Sequence, residues 1–130
     1  MCIRDSQTGG GVAFAPKPRD YSFNMPKSKK RAALASVLSA RVQEGRLRLI
    51  DELAFAEPKT KRVGELLNNF KLGSCLLIDE DNNGARLSSR NHANVKFLKQ
   101  EGVNVADVLR FPYLIMTVSA AKNLEKRLLG

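Results

Sequence analysis

The sequence contains no tryptophan, a single histidine and two cysteines, and it has no long hydrophobic run. The lone His92 gives no basis for assembling a Ser/His/Asp set. Cys2 and Cys75 lack the close spacing of a metal site, and a disulfide is not expected, which fits a reducing compartment. No apolar stretch is long enough to cross a bilayer, so no membrane partner is expected. These absences remove the usual signs of a Ser/His/Asp hydrolase, a metal site, a disulfide-stabilised protein and a membrane protein.

Acidic residues are also scarce, with 13 Asp and Glu against 22 Lys and Arg and a net charge of +9. The excess is concentrated in the first half of the chain. Residues 17–48 hold nine basic and two acidic residues, whereas the chain from Asp51 onward holds twelve basic and ten acidic residues. A localised excess of this kind predicts one cationic binding face, for which nucleic acid is the first candidate partner.

The segment Gly9–Arg31 concentrates that charge in a part of the chain that cannot form a core. Three glycines open it, and Pro16, Pro18 and Pro26 interrupt it, so an extended arm is expected over residues 9–26. Asp20 is its only carboxylate, so i,i+4 pairing cannot neutralise its cations. Lys and Arg contact phosphates, and aromatic rings stack on unpaired bases. The residues predicted in this way to contact RNA are Lys17, Arg19, Tyr21, Lys27, Lys29, Lys30, Arg31, Arg41, Arg46 and Arg48.

Hydrophobic periodicity after the arm predicts one domain over residues 27–130, with helices and strands alternating four times. Helices are predicted over 27–44, 59–70, 85–90, 105–110 and 120–129, and strands over 47–50, 75–78, 95–98 and 113–117. The all-apolar strand at Cys75 is typical of a strand covered on both faces. The pattern therefore predicts an α/β fold with a four-stranded, mainly parallel sheet.

Several local features specify how the helices begin, end and face the core. In the first helix Leu34, Val37, Leu38 and Val42 are expected to point inward, leaving Arg41 on the polar side. Gly45 and Gly73 are expected to end the first two helices. Asn104 and Ser119 are expected to cap the last two.

The acidic run Asp79–Asp81 permits a second interpretation. It follows a strand, where α/β enzymes place metal carboxylates, so a small metal-dependent enzyme using Asp79 or Asp81 is the alternative from another class. A solvated turn is the preferred interpretation, because Asn82-Asn83-Gly84 favours a turn. The glycines at 9–11 lack the GK[ST] sequence of a phosphate loop. His92 is expected at the surface or in contact with RNA.

Four stretches, in order along the chain, carry a resemblance to a known protein family. They read GGGVAFAPKPRDYSFNMPKSKKRAALASVLSARVQEGRL, EPKTKRVGELLNNF, CLLIDEDNNGARLSSRNHANVKFL and VNVADVLRFPYLIMTVSAAKNLEKRL. They resemble the bacterial-type large-subunit ribosomal protein four family from Gly9 to the end of the chain. The most specific elements are PKPRDYS and the SxRNxxNV pattern at residues 88–95.

The resemblance implies a three-layer α/β/α sandwich, ribosomal RNA and neighbouring large-subunit proteins as partners, and an early structural role in subunit assembly. It implies a protein without catalysis, for which no cofactor, metal or small-molecule substrate is expected. It implies a cytoplasmic, ribosomal location, with an organellar ribosome left open. Some members of the family bind the messenger leader of their own operon, so an autoregulatory RNA-binding role is a further alternative. Carried over by matching motifs, Lys17, Arg19, Lys27, Lys29, Lys30 and Arg31 correspond to the RNA-contacting arm and helix start, and Arg90 and Asn91 to a second polar motif.

The chain departs from the family before Gly9. Family members have a substantial N-terminal portion there, including most of an extended loop that reaches the nascent-peptide tunnel wall. We therefore expect an N-terminally truncated fragment, whose first eight residues are non-native or disordered, because MCIRDS resembles a translated sequencing-adapter remnant. The tunnel-wall role is accordingly expected only of the intact parent protein.

Overall fold

The computed structural model describes residues 8–130. Cys2 and all but the last residue of the predicted non-native start lie outside the described residues. Residues 8–26 contain no helix or strand. The elements that follow are α1 (Lys27–Gln43), β1 (Leu47–Ile50), α2 (Thr60–Phe70), β2 (Cys75–Asp79), α3 (Asn83–Arg90), β3 (Val95–Lys99), a 3-10 turn (Gln100–Gly102), α4 (Val105–Arg110), β4 (Tyr113–Thr117) and α5 (Val118–Leu129).

The four strands form one sheet in the order β1-β4-β2-β3, and every neighbouring pair is parallel. The predicted α/β class with a four-stranded, mainly parallel sheet is therefore confirmed. Cys75 on β2 is in register with Tyr113 on β4 and with Val95 on β3. All five residues of β2 are buried, as its apolar run predicted. Strand β1 lies at an edge, where Leu49 is 56% exposed.

Side chains alternate along β2 between two hydrophobic cores, one on each face of the sheet. Leu76 and Ile78 pack with residues of α1, α4 and α5, whereas Cys75 and Leu77 pack with residues of α2. Helix α3 packs beside α2 and β3. This arrangement confirms the three-layer α/β/α sandwich. Within residues 8–130, no helix combines the length and the apolar character that crossing a membrane requires.

The Cys75 side chain is fully buried and unpaired, in agreement with the sequence interpretation. Burial raises the pKa of this thiol to about 11, because the thiolate loses its hydration. Cys75 therefore remains protonated at neutral pH and serves as a small core residue.

Two of the four predicted helix boundaries are confirmed. Gly45 follows α1 with a φ of 67°, a left-handed conformation that glycine adopts without steric cost. The Asn104 side chain accepts a hydrogen bond from the Asp107 N–H at 2.8 Å and caps α4.

The other two boundaries were wrong. Helix α2 ends one turn before Gly73, and Lys71 adopts the left-handed conformation with a φ of 55°. Helix α5 begins at Val118, and its cap is Thr117, whose hydroxyl accepts a hydrogen bond from the Ala120 N–H at 3.3 Å. Thr117 is also the last residue of β4, as predicted, because this strand runs directly into α5.

The buried face of α1 differs from the predicted one at its C-terminal end. Leu34 and Leu38 are buried as expected, but Val42 is 59% exposed and Arg41 is only 9% exposed. The Arg41 Nε and Nη2 atoms donate to the carbonyl oxygen of Val108 at 3.2 and 3.1 Å, and Nη2 also donates to that of Leu109 at 3.1 Å. Its Nη1 pairs with Glu44 at 2.9 Å.

Arg41 therefore satisfies carbonyl groups at the C-terminal end of α4, which have no partner within their own helix. The prediction that Arg41 contacts RNA is corrected for this reason. Its guanidinium is enclosed by the domain and its hydrogen-bonding capacity is used there.

Replacing Arg41 by alanine is expected to lower the free energy of unfolding by about 2 kcal/mol, because buried carbonyl groups lose their donors. Chemical denaturation measures the change. Arg31→Ala, which removes an exposed cation from the same helix, is the control and should change stability by less than about 0.5 kcal/mol. Equal effects of the two substitutions would contradict the role assigned to Arg41.

A second ion pair joins β3 to α4. The Lys96 Nζ atom lies 2.8 and 2.9 Å from the two carboxylate oxygens of Asp107, which is 7% exposed. The Lys96 ammonium holds the pKa of Asp107 below its usual range, with a further contribution from the Asn104 amide. Because the folded-state pKa is lowered, the pair stabilises the fold above the unfolded-state pKa. That contribution is lost as the pH falls through the folded-state pKa.

Asp107→Asn should therefore destabilise the protein at about pH 7 and have a smaller effect towards about pH 3. Unfolding curves at several pH values test this. Glu101→Gln, at an exposed carboxyl that forms no ion pair within residues 8–130, should show no comparable pH dependence. If the free energies of unfolding of Asp107→Asn and the parent protein differ by the same amount at every pH, the stabilising role of the ionised Asp107 is contradicted.

Candidate nucleic-acid interface

The arm over residues 8–26 lies almost entirely at the surface. Phe14 is 96% exposed, Tyr21 72% and Phe23 82%, so these rings contribute little to the core. Exposing three aromatic rings to water is unfavourable for a free protein. An arm with cations between exposed rings has the chemical groups that contact phosphates and stack on unpaired bases.

Two local interactions shape the middle of the arm. The Arg19 guanidinium lies over the Tyr21 ring, 4.3 Å from its centroid, which keeps a cation and a ring at one place. Asp20, the acidic residue between them, accepts a hydrogen bond from the Ser22 N–H at 2.9 Å. Hydrogen bonds from Ser22 lower the pKa of Asp20, so its charge is retained and partly engaged locally.

The arm continues directly into the first turn of α1. Pro26 precedes this helix, no side chain caps it, and its first turn contains no acidic residue. Lys27, Lys29, Lys30 and Arg31 are all exposed. The first backbone N–H groups of a helix lack intrahelical partners and add positive potential to that of the side chains. An anion at this end of α1 would meet both kinds of donor.

Six of the predicted contact residues thus lie together along the arm and the α1 start: Lys17, Arg19, Lys27, Lys29, Lys30 and Arg31. We call this set the arm cluster. None of its members forms an ion pair with another residue of the described range 8–130.

The structure separates Arg46 and Arg48 from the arm cluster. Both follow the C-terminal end of α1, which has 17 residues and is therefore about 25 Å long. Arg46 is partly engaged, because its Nε lies 3.6 Å from Glu44. Arg48 is exposed on the edge strand β1. These two arginines form a second cationic patch.

Arg90 and Asn91 lie in a third place, on the α2–α3 side of the sheet. Arg90 is the last residue of α3 and Asn91 its C-terminal cap, and both side chains are exposed. Their position opposite the α1 layer means that one flat surface cannot contact all the predicted residues.

Sequence reasoning missed the cations of α2. Lys59 pairs with Glu57, and Arg62 lies 3.6 Å from Glu65, but Lys61 forms no ion pair within the described residues. The run Pro58-Lys59-Thr60-Lys61-Arg62 contains no acidic residue and could have indicated a further cationic surface.

The acidic run after β2 is more structured than the solvated turn that we preferred. Asp79 is 8% exposed and accepts hydrogen bonds from the Glu80 N–H at 2.8 Å, the Thr117 hydroxyl at 2.7 Å and the Asn82 amide at 3.0 Å. Asn82 also caps α3, so the helix begins at Asn83, two residues earlier than predicted. The turn interpretation was therefore wrong for Asp79, which is a buried structural carboxylate.

The arrangement gives no support to the metal-enzyme alternative. Both Asp79 oxygens accept protein donors, and Asp81 pairs with Lys99 at 2.8 Å, which lowers the pKa of Asp81. Within residues 8–130, no three His, Cys, Asp or Glu side chains converge in a group suited to a metal ion.

Comparison with known proteins gives a family match over nearly the whole chain. The sequence profile of the ribosomal protein L4/L1 family matches residues 5–127. This is a family of structural, non-enzymatic proteins, and on that ground the prediction that the chain is not an enzyme is confirmed.

Curated relatives agree with the profile. The large ribosomal subunit protein uL4 of Lachnospira eligens is 42% identical over 120 residues, covering 92% of this chain and 58% of that protein. The protein of the same name from Pelotomaculum thermopropionicum is 40% identical, covering 91% and 58%. That from Lactobacillus helveticus is 40% identical, covering 95% and 61%. The chain thus spans less than two thirds of the length of these relatives. With a profile match and relatives of this similarity across almost all its residues, the chain belongs to the ribosomal protein L4/L1 family.

Proposed function

We propose that this chain is a structural constituent of the large ribosomal subunit and binds large-subunit ribosomal RNA. The observation that carries the proposal is the arm cluster, six exposed cations that no carboxylate within residues 8–130 neutralises. They adjoin exposed aromatic rings and the uncapped start of α1. A polyanion with unpaired bases matches each of these groups.

The energetic basis of this binding is the release of counterions from RNA. Each phosphate that a Lys or Arg neutralises frees condensed cations, so affinity falls steeply with salt. The backbone N–H groups at the α1 start would position a phosphate. Tyr21 and Phe23 would stack on bases that are not paired, which favours RNA loops over regular duplex.

The ribosomal part of the proposal draws on the relatives, whose names place them in large ribosomal subunits. In that setting the partners are large-subunit RNA and neighbouring ribosomal proteins, and the location is the ribosome. We infer a role in early subunit assembly, because a cationic arm attached to a folded domain can bind RNA before neighbouring ribosomal proteins do. A contribution to the nascent-peptide tunnel wall is proposed only for the longer parent protein.

Binding to a large-subunit rRNA transcript should show a log–log salt slope of about −4, as expected when about five phosphates are neutralised. The triple substitution of Arg19, Lys29 and Lys30 by alanine should reduce the slope by about 2 and weaken binding at low salt. Filter binding or fluorescence anisotropy over a salt series measures both quantities.

The matched control removes three exposed cations outside the proposed surface: Arg110, Lys122 and Lys126. It produces the same change in net charge, so non-specific attraction falls equally in both variants. Equal losses of affinity in the two triple variants would contradict a localised RNA surface, and a flat salt response of the parent protein would contradict RNA binding itself.

Autoregulation through a messenger leader is the second candidate, since the same cations would contact either RNA. Competition between labelled large-subunit rRNA and an unlabelled ribosomal-operon leader separates the two. We expect ribosomal RNA to be preferred, with an unrelated RNA of equal length as the reference. A leader that displaces ribosomal RNA at equal concentration would support the autoregulatory role.

A further inference from the structure

An apolar groove lies between the first turns of α1 and the C-terminal end of α5. Its volume is about 420 Å³, and no acidic or aromatic residue lines it. Most of its lining residues are apolar: Met25, Ala33, Leu34, Val103, Val105 and Leu128. Asn104, which also lines it, is already engaged as the cap of α4. Apolar surface collected in one open groove is typical of a site where another molecule docks.

The remaining lining residues are three cations, Lys30, Arg31 and Arg127. All three are exposed, and none forms an ion pair within residues 8–130. The Arg127 Nη1 atom donates to the carbonyl oxygens of Gln100 at 3.1 Å and Val103 at 3.4 Å. These bonds hold the guanidinium at the groove before any partner arrives, and its other N–H groups can donate to a carboxylate.

The chemistry of the groove matches a protein segment better than it matches RNA. Phosphates could meet the three cations, but riboses and phosphates are polar and would leave the apolar lining uncovered. Unpaired bases stack on aromatic rings, and no ring lines this groove. Apolar side chains cover such a lining, and carboxylates beside them complement the cations. A groove between two packed helices also has the shape that receives a third helix.

We propose that this groove docks an amphipathic helix of another protein, apolar on one face and acidic along the margin of that face. The apolar residues of the docked helix, spaced i, i+3, i+4 and i+7, lie against Leu34, Val105 and Leu128. Its carboxylates pair with Arg127 and with the two cations of α1. The inference goes beyond the proposed RNA binding, since the partner is a protein and its docking does not depend on affinity for RNA.

A pair of substitutions on α1 tests the groove with matched charge. The probe is a fluorescein-labelled helical peptide with leucines at i, i+3, i+4 and i+7 and glutamates beside them, and fluorescence anisotropy measures its binding to the 130-residue chain. Ala33→Glu places a carboxylate in the groove and should weaken binding about tenfold, by repulsion and by occupying space. Ala32→Glu makes the same charge change at an exposed position outside the lining and should change affinity less than about twofold.

The cation of α5 supplies an independent test. Arg127→Gln should weaken binding of the glutamate peptide about fivefold, whereas Lys126→Gln, at an exposed residue outside the lining, should not. All four substituted positions are exposed, so the variants should fold, and thermal unfolding checks this. The docking inference is overturned if Ala33→Glu and Arg127→Gln bind the peptide as tightly as their controls.

Two further measurements identify a different occupant. If sedimentation shows that the parent chain is a dimer, and Ala33→Glu dissociates it while Ala32→Glu does not, a second copy fills the groove and the proposal fails. If Ala33→Glu weakens binding of a large-subunit rRNA transcript more than Ala32→Glu does and leaves peptide binding unchanged, RNA is the occupant and the proposal also fails. A flat salt response of RNA binding, with peptide docking intact, removes the proposed function and leaves this inference standing.

Discussion

All five residues of strand β2 are buried, and the layout of the molecule follows from that constraint. Its two edges pair with β3 and β4, and its two faces pack against separate hydrophobic cores. A parallel sheet with such a centre needs helices on both sides. The α1 layer and the α2–α3 layer are therefore fixed on opposite sides of the sheet. The polar outer surfaces of these layers face different directions, which is why the predicted RNA contacts fall into separate patches.

Charge is organised differently in the two halves of the chain. Beyond residue 50, Lys59, Arg62, Lys96 and Lys99 each pair with a carboxylate. The arm cluster forms no such pair with the described residues 8–130. Arg41 and Arg46, which both lie near Glu44, are the exceptions in the first half, and Arg41 has become part of the core. Seven of the nine basic residues at positions 17–48 thus form no ion pair within residues 8–130.

Elements and topology were predictable from sequence because apolar spacing reports which face of an element is buried. The four strands and five helices were found in this way, with boundaries within about two residues. The choice between Arg41 and Val42 was not predictable, because both lie near the same helical face. The deciding partner, the carbonyl group of Val108, is 67 residues away. The buried position of Asp79 was not predictable for the same reason, since one of its hydrogen-bond donors is Thr117 on β4, 38 residues away.

The candidate interface was likewise predictable where it depends on local sequence and not where it depends on the fold. The arm cluster is contiguous in sequence, so composition alone identified it. Arg90 and Asn91 lie at the end of α3, on the opposite side of the sheet from α1, and only the folded chain shows this separation. Ultraviolet cross-linking of the chain to large-subunit rRNA, with cross-linked peptides mapped by mass spectrometry, tests the central claim most directly. The account predicts cross-links in the arm around Tyr21 and Phe23 and at the start of α1. Cross-links confined to α4 and α5, with none in the arm, would contradict it.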